Sequence, residues 1–196
     1  INIDINSNGV METLPAVASY VGGDIVAGII SCRIADRPEI RVLIDVGTNG
    51  EIAIGNNEWL VCCSASAGPA FEGGGISSGM RATKGAIQRL KIEGGRLYYE
   101  TIGKAKPRGI CGSGLIDTLS ALVTNQYIDS DGKFRSVSKS ERIIEKDGEP
   151  QFIIAYSHET ENGRDLTITE SDIINLIRSK AAVFAAIKSL INYVGF

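Results

Sequence analysis

Histidine is almost absent from this 196-residue sequence: His158 stands alone, which leaves little material for a histidine-based metal site or a Ser-His-Asp triad. It sits in a polar stretch and reads as solvated. Cysteine is scarce as well. Cys32, Cys62, Cys63 and Cys111 lack the CxxC spacing that chelates zinc or an iron–sulfur cluster, and their apolar surroundings read as those of buried free thiols. On a strand, the vicinal pair Cys62-Cys63 sends its side chains to opposite faces, which disfavours joint ligation of one metal. No metal-ligating set is therefore expected from the residues alone. No apolar run approaches the roughly 20 residues needed to cross a bilayer, and the opening Ile1-Asn2-Ile3-Asp4 lacks the charged-then-apolar layout of a signal peptide. The chain reads as cytoplasmic, without a membrane partner. Runs of Lys or Arg are missing too, and a net charge of -3 with a pI near 5.3 gives nucleic acid no basic footprint.

What is present is ordinary in bulk. Hydrophobic residues make up 43% and charged residues 22%, values of a folded domain, and the length allows one good-sized core or two small lobes. Glycine, at 23 residues, is the plentiful element, and it falls in clusters.

Around Val21-Gly22-Gly23-Asp24-Ile25-Val26-Ala27-Gly28-Ile29-Ile30 a short helix is expected, with Asp24 as its N-cap. After Pro38, Arg41 to Val46 reads as a mostly buried β-branched strand. A glycine turn returns it as Glu51 to Gly55; Asn56-Asn57 makes the next turn, and Trp59 to Cys63 forms a third strand, giving an antiparallel meander. Residues 65–85, with Gly73-Gly74-Gly75, read as a long shaped loop containing a short helical turn. Ala86 to Ile92 and Arg96 to Ile102 form a hairpin about Glu93-Gly94-Gly95. Gly109 to Gly114 opens a helix with apolar spacing at Leu115, Ile116, Leu119, Leu122 and Val123. Asp129-Ser130-Asp131-Gly132 is a turn, residues 133–165 read as a polar strand-and-loop insertion with Gln151 to Tyr156 as its best strand, and a long helix starts near Ser171. Thr169 or Ser171 caps that helix, and Asp172 favours its N-terminal dipole.

Two of the glycine turns are built for anions. In Asp45-Val46-Gly47-Thr48-Asn49-Gly50-Glu51, the glycines Gly47 and Gly50 let backbone amides approach a phosphate. Thr48 and Asn49 add side-chain donors, and Asp45 at the strand end can reach a metal-bound water. Glu51 can orient a water or stand as an exposed strand charge. The competing reading is an ordinary hairpin in which Asn49-Gly50 supplies a left-handed turn. In Gly109-Ile110-Cys111-Gly112-Ser113-Gly114, the glycines Gly109, Gly112 and Gly114 with Ser113 precede a helix. Free amides and the helix dipole favour phosphate there, although the Walker lysine and the GxGxxG spacing are both missing and a tight packing turn fits equally. Glu72 and Arg81, charged residues among glycines, are expected to pair.

Together with Ala67-Gly68-Pro69-Ala70-Phe71-Glu72-Gly73, Gly79-Met80-Arg81-Ala82, Gly109 to Asp117 and Thr169 to Ile173, the segment Asp45 to Glu51 resembles the reductive activators of corrinoid proteins, over nearly the whole chain. The resemblance implies an α/β fold, the actin-like ATPase (ribonuclease H-like) lobe, with a mixed sheet containing an antiparallel meander flanked by helices. Residues 1–196 would form one such lobe of a longer protein carrying an iron–sulfur cluster elsewhere. It implies ATP and Mg2+ as cofactors, with Asp45 and Glu51 in the catalytic role. Gly47, Thr48, Asn49, Gly50, Gly109, Gly112, Ser113 and Gly114 would hold the nucleotide. The partner implied is a corrinoid iron–sulfur protein or corrinoid methyltransferase whose cob(II)alamin is returned to Co(I). In that scheme a first phosphate hairpin lies upstream and the adenosine-contacting glycine pair follows the final helix. The exposed half-cleft and apolar last helix imply self-association as a homodimer. A small-molecule kinase of the same superfold and a non-catalytic docking module are the alternatives.

Overall fold

Residues 4, 6, 8–135 and 140–195 are described in the computed structural model of the chain. The opening residues Ile1 to Ile3, residues 136–139 of the segment 133–165 and the final Phe196 lie outside them.

The strands form three sheets of three. The first is the meander β1 (Arg41–Val46), β2 (Gly50–Gly55) and β3 (Leu60–Ala65), antiparallel throughout, with β2 in the middle. Period-two alternation divides β2 between two helices. Ala53 faces α1 (Gly23–Ser31), joining Val21, Ile25, Ile29 and Ile34. Ile52 and Ile54 face the C-terminal half of the last helix, α3 (Glu170–Tyr193), against Leu190, Val183 and Ile187. Cys62 and Cys63 obey the same alternation, one in each cluster.

The second sheet is mixed. β4 (Ala86–Glu93) pairs antiparallel with β5 (Arg96–Thr101) and parallel with the two-residue β6 (Gly109–Ile110). The parallel pairing brings the chain back into α2 (Gly112–Thr124), which packs on β4 through Leu115 and Leu122. The third sheet runs β7 (Ile143–Lys146), β8 (Glu149–Ala155) and β9 (Leu166–Thr169), all antiparallel. It shares one large core with β4, α2 and the start of α3, where Ile87, Ile110, Leu122, Phe152, Ile154, Ile168, Ile173 and Leu176 are all but inaccessible.

Several sequence expectations change. The strand Arg41 to Val46 forms as expected, but it is the open edge of its sheet: Val42, Ile44 and Val46 are exposed, Ile44 at 41% and Val46 at 44%. Its apolar composition meets α1 only through Leu43. Asp24 is not the N-cap of α1; Gly22 holds that position and the Asp24 carboxylate accepts from the Ile25 amide within the first turn. The third strand is Leu60–Ala65, starting one residue later and extending two further than Trp59 to Cys63. The segment 133–165 is polar in its loops, yet Ile143, Phe152 and Ile154 place its strands in the largest core rather than outside it. Cys111 is buried as expected, whereas Cys32 is exposed and Cys62 and Cys63 are half-buried, with burial pushing both of their thiols up from the usual range. His158 is exposed and stacks on Tyr156 at 5.8 Å.

Of the two caps offered for α3, Thr169 is the one used. Its hydroxyl accepts from the Asp172 amide at 3.1 Å while the Asp172 carboxylate accepts from the Thr169 amide at 3.0 Å, a reciprocal capping box. No helix of the described residues is long and apolar enough to cross a membrane.

Candidate functional site

The turn between β1 and β2 is not an ordinary Asn-Gly hairpin. A type I′ turn needs positive φ at both central residues, and Gly47, Asn49 and Gly50 all have φ outside the left-handed region. Gly50 is demanded by packing, because a Cβ there would come 2.8 Å from Val183 Cγ2. Gly47 is demanded by neither. A Cβ on it would meet only Glu72 Oε1 at 3.4 Å and the Asn49 carbonyl at 3.5 Å, so its missing side chain leaves the turn open to an approaching group.

The turn is held from one side by the glycine-rich segment. Gly68 donates its amide to the Thr48 carbonyl at 2.8 Å, and the Thr48 hydroxyl donates to Glu72 Oε2. Glu72 ends a 3-10 turn, Pro69–Glu72, whose own bonds from Gly73 to Ala70 and from Gly74 to Pro69 fix its backbone. Gly73 follows in the left-handed conformation at φ 83°, with the backbone of Gly79 and Met80 pressed against it. The expected ion pair between Glu72 and Arg81 is not made: among the described residues no ion pair within 4.0 Å involves either. The carboxylate finds Thr48 instead, a partner 24 residues away.

The second glycine turn meets the same 3-10 turn. Phe71, Glu72, Met80, Arg81, Ala82, Cys111, Gly112 and Ser113 line one open depression of about 470 Å3. Along it α2 begins with no side-chain cap, so the amides of Gly112 and Ser113 at the start of a 13-residue helix are left to solvent or a ligand. Of the four residues singled out in that turn, Gly112 and Ser113 reach the depression. Gly109 and Gly114 are buried and shape the turn, Gly109 beneath Ser78 and Met80 and Gly114 against the Ile87 carbonyl. Ser113 offers its amide, since its hydroxyl already donates to the Gln88 carbonyl at 2.9 Å.

Asp45 and Glu51 are directly opposite one another in the β1–β2 ladder. Such pairs place Cβ atoms about 5 Å apart on one face, and like charges so placed repel unless a cation joins them. Asp45 is exposed and makes no ion pair among the described residues; Glu51 accepts one long bond from Ser64 at 3.4 Å. Two carboxylates with free oxygens beside an anion-accepting turn are a donor set that fits a hard divalent ion keeping most of its waters.

Known proteins resemble this chain over most of its length. Residues 39–196 match the family model described as the C-terminal domain of RACo, the ASKHA domain, and residues 1–37 match the RACo middle region. The chain belongs to the RACo family. It is 33% identical over 189 residues to the corrinoid activation enzyme RamQ of Eubacterium limosum, covering 93% of this chain and 32% of that protein. Over 113 residues it is 42% identical to the [Co(II) methylated amine-specific corrinoid protein] reductase of Methanosarcina barkeri, covering 58% of the chain and 21% of the reductase. Among solved structures, a reductive activator for corrinoid, iron-sulfur protein superposes with a TM-score of 0.87 at 49% identity, over 92% of this chain and 29% of that one. The chain thus spans about a third or less of the length of these relatives, and the fold is the actin-like α/β fold of the ASKHA domain.

Glu72 is the residue that sequence reasoning missed. Its signal was its place between Gly68 and Gly73, where a fixed backbone aims one carboxylate, but nothing in the sequence names Thr48 as the target.

Proposed function

We propose that this chain is the nucleotide-binding lobe of an ATP-dependent reductive activator that returns the cob(II)alamin of a corrinoid protein to Co(I). The observation that carries the reading is the convergence of two anion-accepting turns, Gly47-Thr48 and Gly112-Ser113, on the two sides of Pro69–Glu72. In this reading residues 1–196 are one lobe of a two-lobe clamp. Gly47, Thr48, Asn49 and Gly50 with the amides of Gly112 and Ser113 hold the phosphates, while Gly109 and Gly114 keep the second turn tight. Asp45 and Glu51 are the residues that would hold Mg2+, which would supply charge neutralisation for the phosphates.

ATP free energy would then be coupled to lobe closure, and closure to the fit of the corrinoid partner. The partner is a corrinoid iron–sulfur protein or a corrinoid methyltransferase, and the electron comes from an iron–sulfur cluster elsewhere in the full-length protein. The compartment is the cytoplasm. The chain by itself associates into a homodimer through the apolar face beside β1.

The test is calorimetric titration of ATP with magnesium into full-length protein, wild type and Asp45→Ala, followed by cobalt reduction assayed by absorbance. Binding and ATP-dependent Co(I) formation that Asp45→Ala removes are the expected results. ATP-dependent activation that survives Asp45→Ala would sink the hairpin assignment.

A further inference from the structure

Glu72 lies across the open side of the Gly47-Thr48 turn. Its Oε2 takes the single proton of the Thr48 hydroxyl, and its Oε1 lies 3.4 Å from the position a Cβ on Gly47 would occupy, so both carboxylate oxygens cover the opening that Gly47 leaves. A hydroxyl has one proton to donate. Thr48 therefore donates either to Glu72 or to a phosphate oxygen, and a carboxylate beside a phosphate adds like-charge repulsion.

The surroundings allow the carboxylate to leave. The backbone of Glu72 is fixed by the 3-10 turn and by the Phe71 carbonyl lodged against Gly112, but its side chain is exposed. Arg81 lines the same depression and makes no ion pair among the described residues, so a cation is available to a released carboxylate.

We propose that Glu72 is a tethered anion that occupies the Gly47-Thr48 turn in the nucleotide-free state and is displaced by the phosphates of ATP, setting the affinity of the site from within the chain. This rests on the reading of the lobe as an ATP site. Its consequence is that removing the carboxylate strengthens binding, the reverse of what loss of a ligand-contacting acid does.

The experiment is calorimetric titration of ATP with magnesium into full-length protein carrying Glu72→Gln, Glu72→Ala, Glu58→Gln or Asp45→Ala. Glu58 is an exposed acid at the β2–β3 turn and serves as the charge control. Both Glu72 variants are expected to bind about fivefold tighter, the equivalent of one competing hydrogen bond, with Glu58→Gln unchanged. Unchanged or weaker binding by the Glu72 variants, while wild type binds and Asp45→Ala does not, overturns the tethered-anion role and leaves the ATP site standing. An equal gain from Glu58→Gln overturns it as a bulk charge effect. No binding by wild type or any variant overturns both.

Discussion

The carbonyl oxygen of Phe71 lies 2.0 Å from where a Cβ on Gly112 would stand. That contact joins the 3-10 turn carrying Glu72 to the first residue of α2, so the position of one glycine turn is tied to the backbone of the other's neighbour. An alanine at Gly112 has to push a backbone oxygen away, and a backbone yields less readily than a side chain. Gly112→Ala is expected to cost about 2 kcal/mol or more, read as a lowered denaturation midpoint, and to weaken ATP binding together with stability.

Gly47→Ala separates function from folding. The nearest atoms to the added methyl are at 3.4 and 3.5 Å, and φ is outside the left-handed region, so stability should change by less than about 0.5 kcal/mol. The methyl does, however, fill the approach to the turn. A loss of about tenfold or more in ATP affinity with an unchanged melting curve is expected, the size of one charge-assisted backbone contact. Full affinity in Gly47→Ala would show that phosphate does not enter there.

Asp172 is 3% exposed and carries more bonds than a helix cap requires. Beyond the capping box, its Oδ1 accepts from the amide of Ser77 at 2.9 Å and from the Ser77 hydroxyl at 3.2 Å, across 95 residues of sequence. It therefore ties the glycine-rich loop to the start of α3. Asp172→Ala orphans the amides of Ser77 and Thr169 at once, and a loss of about 2–4 kcal/mol follows. Hydrogen exchange should show the middle of the 65–85 loop around Ser77 opening first, because it loses its bonds to Asp172 while Ser179 still donates to the Ala67 carbonyl, Asn175 to the Gly75 carbonyl, and β4 and α2 keep their core.

How far the sequence carried this picture depends on the range of the interaction. The β1–β3 meander and the β4–β5 hairpin rest on alternation over a few residues and on glycine turns, and α3 rests on a three-residue cap signal; all of these are local and were legible. The parallel pairing of β6 with β4 involves two residues, too few to show a period. The exposure of Ile44 and Val46 could not be read from their composition, because an apolar β-branched strand looks the same at a sheet's edge as at its centre. In the candidate site the two glycine turns were legible as motifs. Their convergence on Pro69–Glu72 was not, since it depends on Thr48 meeting Glu72 and Gly112 meeting Phe71 across long stretches of sequence. Arg81, the charge nearest to Glu72 in the glycine-rich segment, was the natural partner to expect; the structure prefers a hydroxyl from another sheet.

A pH effect is expected at the same N-terminal end of α3. Glu149 accepts from the Ser171 amide at 2.7 Å. Hydrogen bonds from Ser171, aided by the Thr169 hydroxyl and the charge of Lys133, hold its carboxyl below the usual glutamate range. A carboxylate with a lowered folded pKa contributes stability that is full above its unfolded value, near 4.3, and is lost as pH falls through the folded value. Glu149→Gln should thus be less stable than wild type at pH 7 by about 0.5 kcal/mol, and the difference should close below about pH 4. A gap that widened on acidification would show that the bond to Ser171 is not the stabilising contact.

The face beside β1 is the last feature with a measurable consequence. Ile44, Val46, Ile116, Val123, Val183 and Phe184 line an open apolar groove of about 570 Å3 between the β1 edge, α2 and α3, and Phe184 is 62% exposed. Each unpaired β1 amide and each exposed aliphatic there gains by contact with another surface. For the 196-residue chain alone, sedimentation velocity at increasing concentration should show a monomer–dimer equilibrium. Because Phe184 contributes little to the folded core, Phe184→Gln is expected to shift that equilibrium toward monomer by about tenfold, the value of one lost aromatic contact at an interface centre, with the melting temperature of the monomer unchanged. A wild-type chain that stays monomeric at the highest concentration reached would remove the homodimer from the proposal without touching the proposed nucleotide site, whose depression is lined by Glu72, Gly112 and Ser113.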